Sequence, residues 1–482
     1  MRFYRLIIFL VFSISSCFLP YCYAQISTDA EKQYVERMQD IFQEMPALNI
    51  WPQNDIYLTP TFFHFSNHHT YAFQFKPTNP NWKKLNTETP IYFLEHDEYH
   101  LDNVPLGYGN IIDNQSPTYI FKYNDSYPHP EEKNIFVALH ERFHFFQRTH
   151  EPFKTLQFNA YPDLKNIDNM ALSYLELRVL KEYWINHQED ALKDYIAIVS
   201  ARAKKLKQTS EEYELSKEIM EGLANYFAIS AISEKTFNVR EMLQTDLEIN
   251  CPQNFENGID CQRQHRYYYT GAVVAFALDS FSVDWKTIFV EKRLSPREQL
   301  QRYFNMPINE IDARVLRVKQ QFDYEHILAG LHQTTDDYFK KLDNHLKKYE
   351  KSEGVKLELW HGFTNEGSAG YGSAEENYFI DGLSRLQVNF TSTNISGDNH
   401  WILKTNNIPY LIESGTSIQV KLKSLTEILV NDKPINMTEV MNMPEPLFFN
   451  SLVITTPQFE LKIQELPGKI IINKGKIDIK PI

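Results

Sequence analysis

Asn134-Ile135-Phe136-Val137-Ala138-Leu139-His140-Glu141-Arg142-Phe143-His144-Phe145-Phe146 is the stretch from which the rest of the chain can be read. Its apolar residues, with Pro128 and Pro130 just before them, predict a largely buried helix over residues 134–150. On a helix, His140 and His144 stand one above the other, because residues four apart share a face. Burying imidazoles among phenylalanines is costly unless they are paired or coordinating. The pair therefore points to one shared cation, with Glu141 a step round the cylinder beside it. Zinc suits this donor set: it takes imidazole nitrogens at ~2.0–2.1 Å and in hydrolases keeps one position open for a water. A second histidine pair, His96 and His100, has its glutamate misplaced and polar neighbours, and reads as a solvated loop.

Outward from this helix the texture changes twice. Toward the N-terminus, Tyr34, Met38, Ile41 and Phe42 keep helical period up to Pro46. Short strand-like runs follow at residues 57–58, 71–75, 91–94 and 119–123, which predict a stretch of antiparallel sheet. Toward the C-terminus, helical patterns cover residues 169–187, 191–207, 211–230, 267–279, 296–303, 310–322 and 335–349. Past Gly354 apolar and polar residues alternate between turn signals, as in a β-sandwich. The expected fold class is α+β: a helix and β-rich part over 25–133, a helical body over 134–353, and an all-β domain over 354–482.

Composition narrows the function classes. The 482 residues carry a net charge of −13, which disfavours nucleic acid as a partner. Only 16 glycines accompany 28 tyrosines and 33 phenylalanines, so phosphate loops built on glycine are scarce and aromatic packing is abundant. Residues 1–24 run from Arg2 and Arg5 through an apolar stretch to Cys22-Tyr23-Ala24, the order of a secretory signal. Ile14-Ser15-Ser16-Cys17 offers a second reading, a lipobox with Cys17 lipidated, the one route by which the chain would be membrane-anchored. Either way the location expected is secreted or periplasmic. There Cys251 and Cys261, in a turn-rich segment, are expected to form a disulfide.

A third metal ligand has two candidates. His150 follows His144 at a spacing known from longer zinc signatures, but Gln147 replaces the turn glycine that would swing the chain back. The other is Glu221, in Glu218-Ile219-Met220-Glu221-Gly222-Leu223-Ala224-Asn225-Tyr226. Gly222 and Ala224 would let that helix lie close against the His140 helix. Asn225, one turn past Glu221, could hold the second nitrogen of a ligand histidine.

With its H-E-x-x-H and distal E-G-x-A-x-Y stretches, the chain resembles the gluzincin group of zinc peptidases. Tyr267-Tyr268-Tyr269-Thr270-Gly271 is similar to the group's Y-x-x-G stretch. The resemblance implies a zincin-like catalytic domain and one Zn2+ per chain, held by His140, His144 and Glu221. It makes Glu141 the general base acting on a zinc-activated water, and Tyr268 the hydrogen-bond donor to the oxyanion. Two features depart from the group. Glu221 lies 77 residues after His144, a gap that predicts two extra helices between them. The aminopeptidase G-x-M-E-N stretch is absent, which leaves endopeptidase or carboxypeptidase action open.

The function expected is thus that of an exported zinc metallopeptidase acting on a peptide or protein substrate. Its rivals are a catalytically inactive zinc-site protein binding peptide or cell-wall ligands, and a zinc amidase or esterase acting outside peptides.

Overall fold

The computed structural model describes residues 28–481 apart from 86–89, 98–117, 128, 159–162, 233–237, 256–257, 361–370 and short turns of the C-terminal sheet (382–383, 397–398, 406–408, 414–416, 424, 426, 436–444, 465–466 and 474–475). The signal-like residues 1–24, Cys17 among them, and His100 of the second histidine pair lie outside the described residues.

The chain is a mixed α+β protein. Its first helix, Thr28–Leu48, runs through Pro46 for two more residues. Its buried face, Tyr34, Met38, Ile41 and Phe42, belongs to the main core. Among the described residues the N-terminal sheet has five strands: β1 (Thr61–His64), β2 (Thr70–Phe73), β3 (Lys83–Lys84), β4 (Ile91–Leu94) and β5 (Tyr119–Lys122), in the order β3-β4-β2-β1-β5. This corrects the expectation in three ways. The chain returns beside β1 in the same direction, so β1 and β5 pair parallel and the sheet is mixed. Residues 57–58 end a short helix, Asp55–Leu58, instead of forming a strand. The strand next to β5, β1, gave no signal at all. All four of its residues are buried, with Phe63 facing the main core and Phe62 facing a second cluster with Phe75 and Trp82. A strand covered on both faces has no polar alternation to read.

The sheet and the Pro130–Thr149 helix are joined by the side chain between the two histidines. Arg142, 1% exposed, donates to the Ile56 carbonyl (2.8 Å), to Gln74 Oε1 (2.7 Å) and to the Thr61 hydroxyl. It also lies over the Phe42 ring at 4.6 Å. A buried guanidinium with its donors satisfied in this way fixes both the roll and the height of the helix on the sheet.

Between His144 and Glu221 the chain forms the helices Ile167–Asn186 and Glu189–Ala203, the insertion anticipated from the spacing. They are held to the body by a buried ionic network. Arg202 binds Glu176 (2.6 Å) and Glu214 (2.7 Å), Arg266 binds the same two acids at 3.3 and 2.7 Å, and none of the four is more than 1% exposed. Two helices found here were not expected, Val239–Asn250 and Trp285–Lys292.

The long helix Tyr324–Lys351 closes the helical body, and the first C-terminal strand, Val355–Trp360, begins after Gly354. Gly354 has φ +128, and an added Cβ would lie 2.1 Å from the Leu422 carbonyl oxygen, so glycine is required there. Among the described residues the C-terminal strands form one continuous thirteen-stranded sheet in the region where a β-sandwich-like domain was anticipated. Its core cluster unites Ile428, Leu452 and Leu461 from one half of the strand order with Leu357, Ile418 and Ile477 from the other. The sheet therefore folds over on itself to bury one face. Leu342 and Tyr349 of the long helix pack on Tyr378 and Leu386 of this sheet.

Candidate metal centre

Each side of the candidate centre is delivered by a different helix. His140, Glu141 and His144 come from Pro130–Thr149, and their ligand-type atoms lie within 4.8 Å of one another, a group that can hold a metal ion. Glu221 arrives from the Gln208–Lys217 helix, which continues through a π-turn, Glu218–Gly222, into Leu223–Ala231. Glu221 Oε2 lies 3.1 Å from His144 Nε2 and 3.6 Å from His140 Nε2. A tetrahedral ion with bonds of ~2.0–2.1 Å has ligand-to-ligand edges of about 3.3 Å, so these separations fit one.

The hydrogen bonds behind the rings fix their tautomers. His140 Nδ1 meets Asn225 Oδ1 at 2.7 Å, while the Asn225 amide nitrogen donates to the Tyr268 carbonyl at 3.2 Å. His144 Nδ1 meets Gln147 Oε1 at 2.7 Å, while the Gln147 amide nitrogen donates to the Ile219 and Met220 carbonyls, both at 3.1 Å. With both amides oriented by their own donors, each Nδ1–H must donate to an amide oxygen. In the neutral rings each Nε2 is then a lone pair facing the Glu221 carboxylate. Two such lone pairs and a carboxylate oxygen converging in a buried place suit a shared cation, a metal ion or a proton, and in this the donor set fits a metal.

The charges respond accordingly. Burial works against the imidazolium of His144, yet Glu221 and Glu141 outweigh it and hold its pKa above the usual value. Burial would raise the Glu221 carboxyl, but His140, His144 and Lys217 bring it well below the carboxylate range. Lys217 Nζ sits 3.3 Å from Glu221 Oε1, so the two oxygens of this carboxylate face different partners.

Of the three consecutive tyrosines only Tyr268 addresses the centre. Its ring stacks on His140 with centroids 5.5 Å apart. Burial, then the nearby Glu221, push its phenol well above the usual range, so it stays a neutral donor. Tyr267 turns inward beneath the Arg266 guanidinium, and Tyr269 is 1% exposed in the core. Beside His140, Glu141 and Tyr268 opens a pocket of about 230 Å³, walled by Phe136 and by Leu243 and Leu247 of the Val239–Asn250 helix.

His150 is directed elsewhere. Its ring stacks on Phe146 at 3.7 Å and its Nε2 contacts Asp55 Oδ2 at 2.6 Å, on the side of the short Asp55–Leu58 helix. The expected role of Gly222 also changes. An added Cβ there would lie 2.4 Å from Gly271 Cα, so this glycine admits the Arg266–Ser280 helix and not the His140 helix. Sequence reasoning missed Gln147 and Lys217. Both were findable, one three residues after His144 and the other four before Glu221, spacings that share a helix face.

Comparison with known protein families, curated proteins and solved structures finds no match.

Cys251 and Cys261 form a disulfide, which is compatible with an extracellular location. It ties the end of the Val239–Asn250 helix to a second π-turn, Cys261–His265, that leads directly into the Tyr268 helix. Among the described residues no helix is long and apolar enough to cross a membrane.

Proposed function

We propose that this chain is an exported zinc-dependent metallopeptidase of gluzincin type, with His140, His144 and Glu221 holding one zinc ion. The observation that carries the proposal is the convergence of two imidazole lone pairs and one carboxylate oxygen, with the Glu141 carboxylate beside them at the mouth of a pocket. Zinc in such a site supplies Lewis acidity and a water acidified to near neutral pH.

The chain's own residues do the rest. Glu141 accepts a proton on a carboxylate oxygen and returns it to the departing amine. The Tyr268 hydroxyl donates a hydrogen bond to the oxygen on which negative charge develops. Asn225 and Gln147 keep the two rings turned with Nε2 inward. An extended substrate would lie along the N-terminal sheet, whose Tyr119 ring lies 6.3 Å from that of Phe145 in the histidine helix.

The test is zinc content and peptide hydrolysis in the purified protein and in Glu141→Gln. About one zinc per chain in both, with hydrolysis only in the parent, supports the reading. Equal hydrolysis by both proteins refutes the role of Glu141. Zinc without turnover of any peptide, while an ester or non-peptide amide is cut, replaces the peptidase with a different hydrolase. Zinc with no turnover of either kind leaves a binding protein.

A further inference from the structure

A second cavity, of about 300 Å³, lies against the Ile167–Asn186 helix and reaches the disulfide. Tyr174, Arg178 and Lys181 stand on one face of that helix, at i, i+4 and i+7, and line the cavity. Leu247 and Glu248 form the opposite wall, and Leu247 is shared with the pocket beside the metal centre.

One charged group in this cavity lacks a partner. The Tyr174 hydroxyl makes no hydrogen bond but is sealed from solvent, so this residue serves as wall. Arg178 is half-buried and forms no ion pair or hydrogen bond among the described residues, whereas Lys181 is paired with Glu248 at 2.5 Å. Burial accordingly pulls the Arg178 guanidinium below its usual value, and only the Tyr174 phenol, no carboxylate, acts against it. The five donors of its guanidinium face a cavity whose carboxylate, Glu248, is already taken by Lys181, and they call for an acceptor group on a ligand. Leu177 and Leu247 supply apolar wall beside them.

We propose that this cavity binds a small organic monoanion, a carboxylate carried on an apolar body, with Arg178 as its recognition group. The charges decide the valence: Arg178 and Lys181 against Glu248 leave one positive charge for the ligand to neutralise. A cavity of this size, at the low end for small-molecule sites, suits a ligand of amino-acid dimensions. The site is independent of the zinc reading.

The experiment is calorimetric titration of the full-length purified protein with N-acetylphenylalanine and, as the neutral isostere, N-acetylphenylalaninamide. The acid is expected to bind with the amide at least about tenfold weaker, the loss of a charge-assisted pair. Arg178→Met should lose at least about tenfold for the acid, and Arg178→Lys less. His144→Ala should bind the acid as the parent does. Arg178 has no partner to strand, so its variants are expected to unfold at the parent's denaturant midpoint. Absence of binding at about 10 mM, a range that captures even weak ligands, overturns the proposal. So does equal binding of acid and amide. Binding lost in His144→Ala but kept in Arg178→Met places the carboxylate at the metal centre and overturns it too.

Discussion

The contact between Gly271 and the π-turn places Glu221, and Gly271→Ala tests this directly. A Cβ at Gly271 would lie 2.4 Å from the Glu218 carbonyl oxygen and 2.8 Å from Gly222 Cα, about 1 Å short of ordinary contact. Both obstacles are backbone, so no side chain can swing aside. The turn itself is pinned, since Glu218 accepts from the Thr270 hydroxyl (2.8 Å) and from Arg297 Nε (2.8 Å). The two helices must therefore separate by about 1 Å. Overpacking of this kind costs about 1–3 kcal/mol of stability. A displacement of about 1 Å in either sense takes Glu221 Oε2 off its 3.1 Å separation from His144 Nε2 and away from the edge length of a tetrahedral zinc site. Loss of a supporting partner already lowers metal affinity 10–100-fold, so a displaced ligand should cost about a hundredfold or more. The assay pairs urea unfolding, followed by far-UV circular dichroism, with zinc competition against a chelating dye. Gly258→Ala serves as control, because its nearest obstacle is the movable Leu331 side chain at 3.2 Å. Parent-like stability together with parent-like zinc affinity in Gly271→Ala would refute the reasoning.

Three further outcomes are expected. Burial would raise the Glu214 carboxyl, but Arg202 and Arg266 reverse this and bring it from 4.5 to about 2. A depressed carboxyl stabilises the fold above its unfolded value and loses that effect as pH falls, so about 3 kcal/mol should vanish between roughly pH 4.5 and 2, seen as a falling urea midpoint. Opening the Cys251 to Cys261 bridge, ten residues apart, by Cys251→Ser with Cys261→Ser should cost about 3 kcal/mol by loop closure and lower the thermal midpoint. Asn225→Ala should weaken zinc binding 10–100-fold in the dye assay, while His150→Ala, whose ring faces Asp55, should leave it unchanged.

How much of this could be read from the residues depended on whether the signal was local. The histidine helix was legible because imidazoles on an apolar face are conspicuous, and Asn225 because it follows Glu221 by one turn. The geometry brings all of them to one place with Tyr268. What escaped was non-local. β1 is buried on both faces and shows no alternation, and its parallel partner β5 is far along the chain. Gly222 was assigned to the wrong neighbour because small residues announce a close approach without naming what approaches. The buried arginines Arg202, Arg266 and Arg297 look like surface residues until their acids are placed beside them.

The π-turn that presents Glu221 has a consequence for how such a site could arise. A π-turn is an α-helix with one residue too many, and each residue turns a helix by about 100°. Deleting one residue from Glu218–Gly222 would restore an unbroken helix from Gln208 to Ala231 and rotate the acid off the histidines, leaving the core face on one side out of step. Inserting one codon into a plain helix would do the reverse. The second π-turn, Cys261–His265, puts the Tyr268 helix under the same condition. One extra residue in each of two helices therefore sets where Glu221 and Tyr268 point, and a single-residue deletion in either would redirect its side chain while leaving the helices themselves in place.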